Sequence, residues 1–270
     1  MDYSHRRHTR DTGRFPCAAG RSTGMRYHKG GHGAGGTSGG ERGPHEVELH
    51  QNLLAANDRH AQVIRGLLRA HGVFSANLMS SPGAGKTALL EATLKRGLDG
   101  FVMGVIEGDI ETTADADRIA PFGIQVVQVN TGPFGGDCHL AAPLVAGAIH
   151  QLDLHSLDVL VVENVGNLVC PAEFDIGEDA KVVLLSVTEG EDKPLKYPLM
   201  FHEASLALVT KTDLLPHLDV DLGTILANIR RVNPSARIIP LSARTGDGLD
   251  EWITWLVDGA KKARTAQTDD

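Results

Sequence analysis

The stretch Ser80-Ser81-Pro82-Gly83-Ala84-Gly85-Lys86-Thr87-Ala88 places two glycines, a lysine and a hydroxyl where a polyphosphate could be held. A glycine-containing backbone curls so that several N–H groups point at one phosphate, and a following helix adds its positive end. In that arrangement Gly83, Ala84, Gly85 and Ala88 form the cradle, Lys86 reaches the β- and γ-phosphates, and Thr87 offers its hydroxyl to Mg²⁺. An apolar run from Val73 to Met79 precedes the loop, and a helical pattern (Leu89, Leu90, Ala92, Thr93, Leu94) follows it. Strand, loop and helix in this order are the context that turns a P-loop match into a site. One departure stands out: Ser80 occupies the place of the pattern's first glycine.

Further chemistry clusters after other apolar runs. Thr210-Lys211-Thr212-Asp213 closes the Leu206 run. Guanine carries an N1–H and a 2-amino group, two donors that one fixed carboxylate, Asp213, can accept together, while the Lys211 stem lies along the purine face. Thr210 is a weaker variant of the asparagine that usually opens this motif. Ser242-Ala243-Arg244 follows the last run, where the Ala243 backbone can meet the guanine carbonyl. In this order after a P-loop, the two segments favour GTP over ATP. Glu107-Gly108-Asp109 and Glu163-Asn164-Val165-Gly166 supply what a nucleotide switch needs. Asp109 or Glu163 stands near Mg²⁺, with the division between them open, and Gly166 follows the γ-phosphate through its N–H.

Cys138-His139 and Cys170 are thiols and an imidazole, ligands suited to Ni²⁺ or Zn²⁺. Cys138 is expected where a Gly-rich loop meets a helix end, which would lower its thiol pKa. Cys170 lies four residues beyond Gly166, so movement of that glycine must be felt at its sulfur. Three protein ligands leave a tetrahedral metal incomplete, and water, a partner or a facing subunit would supply the fourth.

With 270 residues and three cysteines, the chain has length for one sizeable domain and no disulfide framework. No run of about eighteen apolar residues and no signal peptide is seen, so a soluble, cytoplasmic protein is expected. Net charge is −8, with eight Lys/Arg against five Asp/Glu in residues 1–50 and eighteen against twenty-nine in the remainder. A body this acidic argues against nucleic acid as its main partner. Residues 1–45 hold eleven glycines and His5, His8, His28, His32 and His45, with too little apolar surface to offset the entropy of ordering. They read as a disordered tail ahead of a domain over 46–270.

That domain opens with a helix whose apolar line runs Leu49, Leu53, Ala56, His60, Ile64, Leu67, Leu68 and stops at Gly72. Short Val/Ile/Leu runs then alternate with helical patterns: strands are expected at 101–106, 124–129, 159–163, 182–187, 206–210 and 237–241. Helices are expected near 115–120, 140–152, 222–232 and 249–262. Alternation of this kind gives an α/β, three-layer fold, a mostly parallel sheet flanked by helices, with ligands at the carboxyl ends of the strands.

The P-loop, Glu107-Gly-Asp109, Cys138-His139-Leu140, Glu163-Asn-Val-Gly-Asn-Leu-Val-Cys170-Pro171, Glu191 to Pro198 and Thr210 to Asp213 together resemble the nickel-incorporation GTPases of hydrogenase maturation, the HypB type. That resemblance spans about 46–257. It implies a P-loop GTPase of the SIMIBI class, GTP-dependent homodimerisation and slow hydrolysis coupled to nickel delivery. By the same resemblance, Cys138, His139 and Cys170 match the family's metal ligands. A HypA-type zinc accessory protein and the hydrogenase large-subunit precursor are the implied partners. Ala141 stands where the family usually has an acidic residue, the Pro133-to-Asp137 loop looks longer, and the tail lacks a Cys-x-x-Cys-Gly-Cys site. The competing readings are a urease-loading nickel GTPase, a small-molecule phosphotransferase and a passive metal store.

Overall fold

The computed structural model describes residues 44–109, 118–131 and 139–268. The expected tail up to residue 43, the first half of the helix expected at 115–120, and Cys138 lie outside the described residues, and the first helix, Pro44–Ala70, takes in the last two residues of that tail. Seven strands form one sheet: β1 (Phe74–Ser80), β2 (Met103–Asp109), β3 (Val126–Asn130), β4 (Val159–Glu163), β5 (Ala180–Ser186), β6 (Leu206–Thr210) and β7 (Arg237–Pro240), in spatial order β3-β2-β4-β1-β5-β6-β7. Every pairing is parallel. Parallel strands must be covered on both faces, and β1 and β4 are buried along their whole length.

Two layers of helix provide that cover. On one face α2 (Lys86–Arg96) and the last helix, α8 (Leu249–Thr268), meet the sheet. Leu89, Leu90, Trp252 and Leu256 pack there on Ala76, Val105, Val161 and Leu184. On the other face α1 (Pro44–Ala70) and α3 (Ala142–Ile149) cover Ile106, Leu160 and Val162 through Ala61, Ile64, Leu68, Val145 and Ile149. The rest of that face is closed by α4 (Cys170–Glu173), α5 (Lys193–Lys196), α6 (Pro198–Glu203) and α7 (Leu222–Val232), whose Ala172, Met200, Phe201, Ile225 and Ile229 pack on Val183, Leu185 and Val209. Adjacent strand residues thus feed opposite faces, as the period of two requires.

Two expectations are corrected. The buried line of α1 runs through Asn57, Ala61, Ile64 and Leu68, and His60 faces solvent, because an asparagine with partners for its amide can lie on a buried face. The helix expected from Leu140 begins at Ala142. Pro143 there suits the first turn, and the helix starts two residues later than expected.

The α2–α8 contact is the densest in chemistry. Trp252 is fully buried, its indole Nε1 donates to Thr93 Oγ1 at 2.9 Å, and its ring stacks on Trp255 at 5.5 Å between centroids. Removing a ring of this size leaves a cavity and takes away the bond that the Thr93 hydroxyl accepts, although that hydroxyl still donates to Leu89 O at 2.7 Å. Trp252→Ala is expected to cost about 3–5 kcal/mol of unfolding free energy, seen as a lower urea midpoint at unchanged slope. Among the described residues no helix is long and apolar enough to cross a membrane.

Candidate nucleotide site and thiol–imidazole segment

The P-loop leaves β1 at the centre of the sheet, where successive connections run to opposite sides, which is where open parallel sheets bind ligands. Gly83 and Gly85 have φ of 76° and 102°, a region that side chains resist, so the turn depends on glycine at both positions. Lys86 opens α2 and is 8% exposed. Its Nζ donates to Ser80 Oγ at 3.1 Å and lies 3.9 Å from Glu163 Oε1. The serine that breaks the glycine pattern therefore seats the lysine. Thr87 Oγ1 donates to the same Glu163 Oε1 at 2.9 Å.

A cleft of about 530 Å³ opens over these groups, lined by the loop, Gly108, Asp109, Arg118, Asn164, Gly166 and Lys211 among others. The Thr87 hydroxyl and the Asp109 and Glu163 carboxylates are hard oxygen donors, the set that Mg²⁺ takes alongside phosphate oxygens. Arg118, which the motif reading passed over, enters the cleft wall with its Nε donating to Glu91 Oε1 on α2 at 2.6 Å.

A second, mostly apolar slot of about 260 Å³ adjoins the first, sharing Gly85, Ala88 and Lys211 as lining, with Leu89, Asp213, Leu241 and Ala243 around it. Lys211 is held in the left-handed region at φ 60°. Its Nζ donates to Gly83 O at 2.6 Å, and its stem passes 3.8 Å from where a Gly85 Cβ would be. Thr210 Oγ1 donates to Ala84 O at 2.7 Å. Strand β6 is thus pinned to the P-loop by two side chains. Asp213 Oδ1 accepts from Ser242 Oγ at 2.6 Å, and Arg244 Nη1 stands 4.0 Å from Oδ2. Ser242 is fully buried and lies behind the carboxylate it orients. A polar cleft joined to a flat apolar slot with one carboxylate is what a purine nucleoside polyphosphate requires.

Gly166 sits against the P-loop: a Cβ there would be 2.9 Å from Pro82 Cα. Four residues later Cys170, half-buried, begins α4, and Asn167 Nδ2 lies 3.7 Å from its Sγ. Phe174, just beyond α4, packs its ring on His139 with centroids 4.0 Å apart. The structure therefore brings His139 against the segment that carries Cys170. Cys138 falls outside the described residues, and among those described no three His, Cys, Asp or Glu side chains converge as a metal site.

A larger cleft, about 890 Å³, lies elsewhere among the described residues, between α1 and the 172–181 segment. Its wall holds the Arg65–Asp175 pair, 2.7 Å apart. Burial opposes ionisation of Asp175, but the bonds from Arg65 and the Gly177 N–H outweigh it and hold the carboxyl below its ordinary pKa. Burial pushes the neighbouring Glu178 up. These groups tie α1 to the sheet and lie apart from the P-loop.

Fold and site together define a P-loop GTPase. The family profile of the CobW/HypB/UreG nucleotide-binding domain matches residues 75–240. Hydrogenase maturation factor HypB of Azotobacter chroococcum mcd 1 is 52% identical over 210 residues, 78% of this chain and 68% of that protein. Among solved structures, HypB from Helicobacter pylori in complex with nickel superposes with a TM-score of 0.72 at 35% identity, over 77% of this chain and 96% of that one. HypB from Archaeoglobus fulgidus gives 0.71 at 37%, over 77% and 100%. The chain belongs to the CobW/HypB/UreG family, in its hydrogenase maturation factor HypB branch.

Proposed function

We propose that this protein is a GTP-hydrolysing metallochaperone that delivers nickel during hydrogenase maturation. One observation carries the reading: Gly166, pressed on P-loop Pro82, and Cys170, whose helix ends on the ring that packs against His139, belong to a single short segment. A change at the phosphates therefore has a direct path to a thiol and an imidazole.

In this reading the amides of Gly83 to Ala88 and the Lys86 ammonium hold the β- and γ-phosphates, and Asp213, Lys211, Thr210 and Ala243 hold guanine, with Ser242 behind the carboxylate and Arg244 at the slot's wall. Mg²⁺, when bound through Thr87, Asp109 and Glu163, neutralises charge that develops on the phosphate oxygens. The chain itself supplies mostly positioning and a fixed positive charge. Gly166 N–H follows the γ-phosphate, and its release after hydrolysis shifts the segment to Cys170. Cys138, His139 and Cys170 hold the cargo, Ni²⁺ or Zn²⁺, and a second copy of the chain, assembled with GTP, completes the working unit. A HypA-type zinc protein and the hydrogenase large-subunit precursor, met in the cytoplasm, are the donor-side and acceptor-side partners. The first 43 residues are given no part in this machinery.

The test is a titration of Ni²⁺ into the full chain with GDP and with a non-hydrolysable GTP analogue, following oligomeric mass throughout. Metal affinity is expected to differ between the two nucleotides by roughly 5- to 100-fold, with a dimer in the GTP form only. Equal affinity and a monomer in both states would reject the mechanism.

A further inference from the structure

Leu140, the residue after His139, is gripped from both walls of the nucleotide cleft. Its backbone N–H donates to Asn164 Oδ1 at 2.9 Å, directly after β4 and its Glu163. Its side chain fills the space over Gly108, where a Cβ would meet Leu140 Cγ at 2.7 Å, beside Asp109. The same Asn164 oxygen accepts from Val165 N–H at 3.0 Å, one residue before Gly166. A single carbonyl therefore holds two amides that are 25 residues apart in sequence, one leading to Gly166 and the other to His139.

The Asn164 side chain cannot follow either amide freely. Its Nδ2 donates to Asn77 Oδ1 in β1 at 3.1 Å, and Asn77 Nδ2 faces Glu178 Oε1 at 3.4 Å. Asn77 is fully buried and Asn164 is 1% exposed, so water cannot replace a bond that is lost there. A second buried asparagine fixes the far end of the segment: Asn57 Oδ1 accepts from Ala142 N–H at 2.8 Å. Movement of Gly166 that pulls Val165 must lengthen one of the two bonds at Asn164 or carry Leu140 with it. A buried bond left unmade shifts an equilibrium by about 5- to 150-fold, the size of an ordinary coupling between two sites.

We propose that Asn164 is a positioning residue that transmits the nucleotide state to His139 through the Leu140 amide. This route is separate from the path through Gly166 to Cys170, and it rests on the metallochaperone reading above. Glutamine would overreach the buried site and serine would fall short of Leu140, whereas aspartate keeps the shared acceptor in place once the Asn77 amide turns over to donate to its second oxygen.

The experiment compares the full-length protein with Asn164→Ala, Asn164→Asp and Asn77→Ser. Two quantities are read with GDP and with a non-hydrolysable GTP analogue: the affinity for Ni²⁺ added alone, and hydrogen exchange of the Leu140 amide. In the native protein both are expected to change with nucleotide, the metal affinity by about tenfold. In Asn164→Ala the two nucleotides are expected to give Ni²⁺ affinities within about twofold of each other and the same fast Leu140 exchange, while Asn164→Asp restores most of the difference. A residue that only supported the fold would lower the melting temperature and leave the nucleotide dependence intact. If Asn164→Ala fails to fold, Asn77→Ser decides, with the same loss expected. Native protein whose metal affinity ignores the nucleotide overturns the metallochaperone reading itself. A native difference that persists in every folded variant, with Leu140 exchange still responding, overturns the role of Asn164 alone.

Discussion

Lys86→Ala is expected to lower the rate of GTP hydrolysis by about 10²- to 10³-fold and to make metal affinity indifferent to the nucleotide. The ammonium is held ready between Ser80 Oγ and Glu163, so it costs no reorganisation when phosphate charge develops, and that is the condition under which one fixed donor has its largest effect. Fold stability should move far less. Glu163 Oε1 keeps its bond from Thr87 Oγ1, so the carboxylate is not stranded, and the loss is expected to stay within about 1–2 kcal/mol. Single-turnover hydrolysis and a melting curve on the same sample separate the two effects. Hydrolysis within threefold of native would show that the lysine does not meet the γ-phosphate, and the coupling would then need another origin.

The sequence made the scaffold of this site readable because its signals are local. Seven apolar runs mark seven strands, and Ser80, Asp109, Glu163 and Thr210 fall at or beside strand ends because the motifs follow those runs. Strand limits drifted by two or three residues: β2 extends to Asp109 and β3 starts at Val126, where sheet register rather than residue type sets the boundary. Helices α4, α5 and α6 escaped notice because four to six residues are too few to show a period, and each has a proline at its first or second position that reads as a turn. The polar residues inside β1 were also opaque. Ser75 and Asn77 look like flaws in an apolar run, yet Ser75 Oγ donates to Asp179 and Asn77 receives the Asn164 amide. Both partners lie more than eighty residues away, and only the parallel register of β1 with β4 and β5 brings them together. Asn164 was in plain view beside Glu163, but nothing local says that its oxygen reaches Leu140.

Asp213→Asn is expected to weaken GTP binding by on the order of 10³-fold and to improve binding of xanthosine triphosphate. Guanine presents two donors, N1–H and the 2-amino group, and a carboxylate accepts both with charge-assisted bonds worth about 1.5–3 kcal/mol each. The amide of asparagine keeps one acceptor and turns the other position into a donor, which faces the 2-amino group unfavourably but suits the 2-carbonyl oxygen of xanthine. The exchange is close to isosteric, and the Ser242 hydroxyl that now donates to Oδ1 at 2.6 Å can still bond to an amide oxygen, so the slot keeps its shape. That bond also predicts a graded control: Ser242→Ala frees the carboxylate to rotate and should cost GTP affinity only about tenfold, with no preference for xanthine. Fluorescent-nucleotide displacement by GTP, ATP and xanthosine triphosphate reads all three. An Asp213→Asn protein that ranks them as the native one does would mean that the carboxylate beside Ala243 and Leu241 does not read the base, and the preference for guanine would have to come from the backbone alone.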